Sequence, residues 1–231
     1  MPKSLPNLLS FFIIIAIPIV LILSNVLLFM NPAWLAFQYS QPGFPKAELF
    51  SDQARLYFGS ESIEYIRGNR TLEQFKALGV YQNREIAHMI DVRVLVDEVK
   101  IVLPVVAVLA AIAIIILMRD PTTRSVAARA LRNGGILTIT LFLAIGLFAA
   151  IGFNTFFTLF HRIFFTGDSW LFLPTDSLIQ FYPLPFWFAT SITLVALTLI
   201  EAAIVGVIGW VWEKRTISGQ QSAVSQLEEN P

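Results

Sequence analysis

IVLPVVAVLAAIAIIILM, residues Ile101–Met118, runs for eighteen positions without one charged or hydrogen-bonding side chain. As a helix rising about 1.5 Å per residue it covers about 27 Å, close to the ~30 Å hydrocarbon core of a bilayer. A run of that length and uniformity predicts a membrane-spanning helix. Three further blocks have the same character: Leu8–Met30, Ile136–Phe160 and Phe186–Trp212. With 56% of residues hydrophobic and 14% charged, the chain is too apolar for a soluble globular domain. The predicted fold class is an all-α integral membrane protein. It is a four-transmembrane-helix bundle forming a single membrane domain over 1–231, with a helical, membrane-surface extracytoplasmic segment between the first two spans.

The flanks of these blocks set the expected orientation. Arg119, Arg124, Arg129 and Arg132 face the single acid Asp120 between the second and third spans, Lys3 precedes the first span, and Lys214 and Arg215 follow the fourth. Short basic loops stay in the cytoplasm, so 119–135, 213–231 and both termini are expected inside, and 31–100 and 161–185 outside. All five tryptophans suit that arrangement, with Trp34, Trp170 and Trp187 at the outer interface and Trp210 and Trp212 at the inner one. The first block is too long for the core of a secretory signal and no small-x-small site follows it, so a retained anchor is expected. There is no cysteine, which removes disulfides, thiolate metal sites and a cysteine nucleophile.

Within 31–100 the punctuation is helical. Ser51 or Asp52 is expected to cap a helix reaching about Ile66, broken by Gly68-Asn69, and Thr71 with Gln74 has the spacing of a capping box. Asn83 is expected to open NREIAHMIDVRVLVDEVK, which runs without interruption into the second span, where Pro104 is a natural place for a kink. Three short helices make a poor independent core for about 70 residues, so they are expected to lie on the membrane surface. The second outer segment, 161–185, is aromatic and proline-punctuated.

The chain has only two histidines, and the topology puts both on the outer side. On the predicted helix Glu85 lies three residues before His88 and Asp91 three after, with Arg84 at i−4. A neighbouring carboxylate holds an imidazole in one tautomer and raises its pKa, which suits a general base. Taken alone, a surface histidine on a charged helix is the simpler reading of His88, and an interfacial helix end beside Arg162 is the simpler reading of His161. As a pair they suggest one site, provided that a kink or an interfacial lie lowers His88 from about 20 Å above the interface. A zinc site built with Asp91, Asp168 or Asp176 lacks the local ligand spacing, so no metal is expected. Asn154 could line a site or bond between helices, and Glu201, mid-span, is expected to serve helix packing. No nucleophile elbow, nucleotide loop or nucleic-acid-binding stripe is present.

REIAHMIDV (Arg84–Val92) and FHRIFFTGDSW (Phe160–Trp170), each beside a span, with P-x-D-x-L-I (Pro174–Ile179) and aromatics opening the fourth span, resemble a bacterial integral membrane family, the lipoprotein intramolecular transacylases. The resemblance covers nearly the whole chain. One departure is Leu184 in FYPLPFW, where the family pattern has an acidic residue after the proline. The resemblance implies an acyltransferase of the bacterial cell membrane acting on its outer face. Its substrate would be a diacylglyceryl lipoprotein in the phospholipid bilayer, whose sn-2 acyl chain moves to the α-amino group of the modified cysteine. Ester to amide is downhill, so neither nucleotide, cofactor nor acyl-enzyme is required. In that reading His88, aided by Glu85 or Asp91, is the base. His161 binds the oxyanion or returns a proton, with Arg84, Arg162 and Asp168 in support, although the two histidines' roles could be exchanged. Trp170, Phe164, Asp176 and Asn154 would contact substrate. A non-enzymatic lipid- or protein-binding module and a metal-dependent membrane hydrolase are the alternatives.

Overall fold

A computed structural model describes residues 4–167 and 169–229. In the described residues all regular structure is helical, in the order α1 (Leu5–Phe29), α2 (Pro32–Tyr39), α3 (Asp52–Arg67), α4 (Leu72–Lys76), α5 (Asn83–Arg119), α6 (Arg124–Ile151), α7 (Phe153–Phe164), α8 (Ser177–Phe181) and α9 (Leu184–Glu229). Stretches of α1, α5, α6 and α9 are long and apolar enough to cross a membrane, as expected from the four blocks. The helices overrun the apolar blocks, because backbone hydrogen bonding continues wherever no breaker intervenes. α5 passes Pro104 without a break. The third block behaves differently. Its helix stops at Ile151, Gly152 takes φ −142° and ψ 61°, and α7 restarts at Phe153, so the expected span 136–160 is two helices.

The chain divides into two compact units. One comprises α1 through Ser24, Val102–Ala144 and α9 from Val195. Its core gathers Ile13, Ala113, Leu117, Ala127 and Ala130. Here α6 and α9 touch backbone to backbone. A Cβ on Gly135 would stand 2.6 Å from the Ala202 carbonyl oxygen and 2.8 Å from Gly206 Cα. The buried Glu213 carboxylate accepts from Arg129 Nε at 3.1 Å and from Arg132 Nη1. Glu201 belongs to this unit.

The other unit is Asn25–Ile101 with Ile145–Leu194. The expected helix signals hold. Ser51 accepts from Ala54 N–H at the start of α3, Gly68 ends it at φ 97°, and Thr71 and Gln74 form a complete capping box. The helices of 31–100 do not form their core alone; residues 178–186 complete it. Leu178, Phe181, Tyr182 and Phe186 pack with Leu35, Ile63, Tyr65, Phe75 and Met89. Tyr65 stacks on Phe75 at 4.5 Å, which stacks on Tyr81 at 4.6 Å. Polar groups lock the segments together: Tyr39 OH donates to the Phe181 carbonyl at 2.7 Å, and Gln180 Oε1 accepts from Glu48 N–H at 2.7 Å.

Candidate active site

The site is assembled within this second unit, where the first turn of α5 meets the chain between Phe165 and Leu178. Glu85 stands three residues after Gln82 and its Oε2 accepts the Gln82 N–H at 2.8 Å, the reach-back half of a capping box. Its Oε1 accepts the Leu178 N–H at 2.8 Å, and the side chain is fully buried. Asp176, also buried, accepts from Arg84 Nη2 on both oxygens at 2.6 and 2.7 Å, from Gln82 Nε2 at 3.2 Å and from Leu173 N–H at 2.6 Å. Two carboxylates thus tie the start of α5 to the 173–178 segment.

This arrangement corrects the role expected for the carboxylates beside His88. A helical side chain leans toward its own N-terminus, so Glu85 reaches back to Gln82 and across to Leu178 instead of forward to His88. Asp91 is exposed. Among the described residues neither bonds the imidazole, and the buried His88 Nδ1 has no hydrogen-bond partner. Aromatic faces surround the ring instead: Phe165 at 4.9 Å and Phe172 at 5.3 Å between centroids.

His161 sits in the last turn of α7. Its Nδ1 lies 2.7 Å from the Phe157 carbonyl oxygen one turn back. A carbonyl only accepts, so Nδ1 carries the proton and, in the neutral ring, Nε2 keeps its lone pair. Phe157 lies 4.1 Å from the ring, Trp170 5.0 Å and Phe165 5.6 Å. Burial pushes the His161 pKa below the ordinary imidazole value, and the bond to Phe157 offsets part of that. Burial therefore favours the neutral ring.

The two imidazoles, 73 residues apart in sequence, face each other with centroids 6.1 Å apart and planes 26° from parallel. Both are nine-tenths or more buried. The approach needs no break at Pro104; it is made by α7, restarted at Gly152, and by the loop that follows it. Trp170 packs on His161 at 5.0 Å, its Nε1 donating to the Gly167 carbonyl at 3.1 Å, and Gly167 takes φ 69°.

The other expected residues are distributed more widely. Phe164 turns outward, 49% exposed, and packs on Phe160, while its neighbour Phe165 enters the site. Arg162 is exposed and has no ion pair among the described residues, and Asn154 is exposed two turns before His161 on α7. Asp168 lies outside the described residues. Phe165, Phe172 and the backbone donors of Leu173 and Leu178 are the participants that helical spacing did not single out, because they lie in or beside irregular chain. No three His, Cys, Asp or Glu side chains cluster as a metal site among the described residues.

Comparison with known proteins adds three findings. The family described as lipoprotein intramolecular transacylase Lit matches residues 11–187. An uncharacterised protein of Aquifex aeolicus (strain VF5) is 24% identical over 215 residues, 88% of this chain and 95% of the relative. The in meso structure of the membrane integral lipoprotein intramolecular transacylase Lit from Bacillus cereus superposes with a TM-score of 0.74 at 18% identity, covering 94% of this chain and 98% of that one. A variant of the same protein gives 0.69 over 94% of each chain. At that identity the likeness speaks for the fold.

Proposed function

From the premise that the chain belongs to the lipoprotein intramolecular transacylase family, an acyltransferase family of integral membrane proteins, we propose the reaction and the residues that carry it. The substrate is a lipoprotein whose N-terminal cysteine bears a diacylglyceryl group. The sn-2 acyl chain moves to the α-amino nitrogen of that cysteine, leaving a free glyceryl hydroxyl. The observation that carries this reading is the facing pair His88 and His161, one with an unused buried nitrogen and the other with a defined basic one.

The chemistry follows from the amine. An α-ammonium has a pKa of about 8 and must lose a proton before it attacks. His161 Nε2 accepts that proton, the role initially expected of His88, because only His161 has its tautomer set by a protein carbonyl. The nitrogen then adds to the sn-2 ester carbonyl. His88, with a nitrogen directed at no protein group, donates to the oxyanion that forms. When the tetrahedral species collapses, the carbonyl–oxygen bond breaks and the imidazolium of His161 returns its proton to the glyceryl oxygen. As it adds, the nitrogen sheds a second proton; of the two protons it gives up, one ends on the glyceryl hydroxyl and the other leaves to solvent, so the ammonium's three protons are divided among the amide, the hydroxyl and water. Amine and ester belong to one molecule, so the aromatic walls need only fold it back on itself to raise the effective concentration.

The outer face is the natural side for this site, since the basic loop 119–135 is retained inside. The test is mass spectrometry of a lipoprotein N-terminal peptide from cells making the protein, its His88→Ala form or its His161→Ala form. The lyso form with the intact protein and the diacylglyceryl form with both variants are expected. A diacylglyceryl peptide left unchanged by the intact protein rejects the reading, and loss of activity on chelation favours a metal-dependent hydrolase.

A further inference from the structure

Arg84 uses only part of its guanidinium. Nη2 donates to both oxygens of Asp176, whereas Nε and Nη1 have no partner among the described residues, and 41% of the side chain is exposed. Asp176 is the opposite case. It is fully buried and saturated by Arg84, Gln82 and Leu173, so it holds its position and fixes the plane of the guanidinium it binds. Helix register puts Arg84 four residues before His88, about 6 Å along the axis and on the same face. Phe172, which packs on His88, adjoins Leu173, whose N–H Asp176 accepts.

We infer that Arg84 is a substrate-binding residue, held by Asp176, whose free Nε and Nη1 donate to a carbonyl oxygen of the lipid-modified N-terminus beside the histidine pair. The inference rests on the transacylase reading. The reacting head of such a substrate carries an ammonium, which a bare cation repels, and carbonyl acceptors from its esters and first peptide bond. Asp176 balances the charge of Arg84, so the pair offers oriented donors without a net repelling field. A carbonyl oxygen held one helical turn from His88 places the neighbouring ester for attack. A lysine would keep the ion pair as a point charge but has no second face of the fork to offer.

The measurement is steady-state kinetics of the purified full-length protein on a synthetic diacylglyceryl lipopeptide, with Arg84→Lys as the main variant. Because lysine retains the contact with Asp176 and the position is part-exposed, the melting temperature is expected to stay within a degree or two. KM rises roughly tenfold or more, the loss of a charge-assisted hydrogen bond, with kcat little changed. Arg84→Gln raises KM at least as far, and Asp176→Asn raises it severalfold by releasing the fork. A lipopeptide with an ether in place of the sn-1 ester identifies the acceptor. If the KM ratio of Arg84→Lys to the intact protein falls to about one, Arg84 binds the sn-1 carbonyl; if the ratio persists, it binds the peptide carbonyl. An unchanged KM in both Arg84→Lys and Arg84→Gln overturns the inference. Absence of turnover by the intact protein overturns the transacylase reading instead.

Discussion

The two units of this protein are both helical, yet opposite means hold them. In the first, helices meet through glycine and alanine: α6 lies so close to α9 at Gly135 and Gly209 that their backbones touch, and polar contact is concentrated at Glu213 with Arg129 and Arg132. In the second, bulky rings fill the space and polar groups from irregular chain stitch them together. Small residues give close, rigid helix packing where apolar surroundings offer no hydrophobic drive. Rings and buried carboxylates instead give a shaped, partly polar interior in which an imidazole can be kept neutral and oriented. The contrast is between a close-packed helical scaffold and an aromatic interior that holds the two facing imidazoles.

The largest effect is expected at the point where the second unit is most committed. His161→Ala removes the base and lowers the rate of lyso-lipoprotein formation by about 10²–10⁴-fold, followed as a time course by mass spectrometry. Helical content by circular dichroism stays the same. Gly135→Leu attacks the other side of the contrast. It drives a side chain into the Ala202 carbonyl and costs about 1–3 kcal/mol, read as a lower melting temperature in detergent. The folded fraction keeps its kcat; a fall in kcat without a fall in melting temperature would break the division between scaffold and site.

Glu85→Ala exposes the stitching. It leaves two backbone donors, Gln82 and Leu178, without their acceptor and costs about 1–3 kcal/mol, whereas Glu85→Gln keeps one of them and costs less. Both are read by thermal melting. Since Glu85 does not touch His88, the pH profile of Glu85→Gln should match that of the intact protein.

The profile itself follows from His161. Its lowered pKa keeps the base form populated on acidification, so the acid limb lies below the ordinary imidazole range, and as the pH rises past the amine pKa of about 8 the free amine forms unaided and the rate depends less on His161. An acid limb above pH 7 in kcat/KM would contradict a buried neutral base. The smallest effect is expected at Asp91. It is exposed, and Asp91→Asn should change the rate by less than about twofold. A larger change would restore the carboxylate that the helix spacing suggested.

Much of this architecture was legible locally. Ser51, Gly68 and the Thr71–Gln74 box punctuate helices through bonds spanning three to five residues, so short-range pattern suffices to find them. The break at Gly152 was hidden because a continuous apolar block carries no periodicity by which an interruption would show. Glu85 was placed on the correct face of α5 but given the wrong partner, since spacing alone does not tell a carboxylate reaching back to a cap from one reaching forward to a ring.

What the sequence by itself determined is the class of the protein, its four apolar helices, its helix caps and the two histidines as a candidate pair. All of these follow from composition and from interactions between near neighbours. The tertiary structure alone decided that the imidazoles face each other at 6.1 Å, that Phe165 and not Phe164 closes the site, and that Arg84 is held by a carboxylate 92 residues away. Those contacts depend on how two segments distant in sequence share one aromatic core, and no local pattern encodes the position of one segment against another.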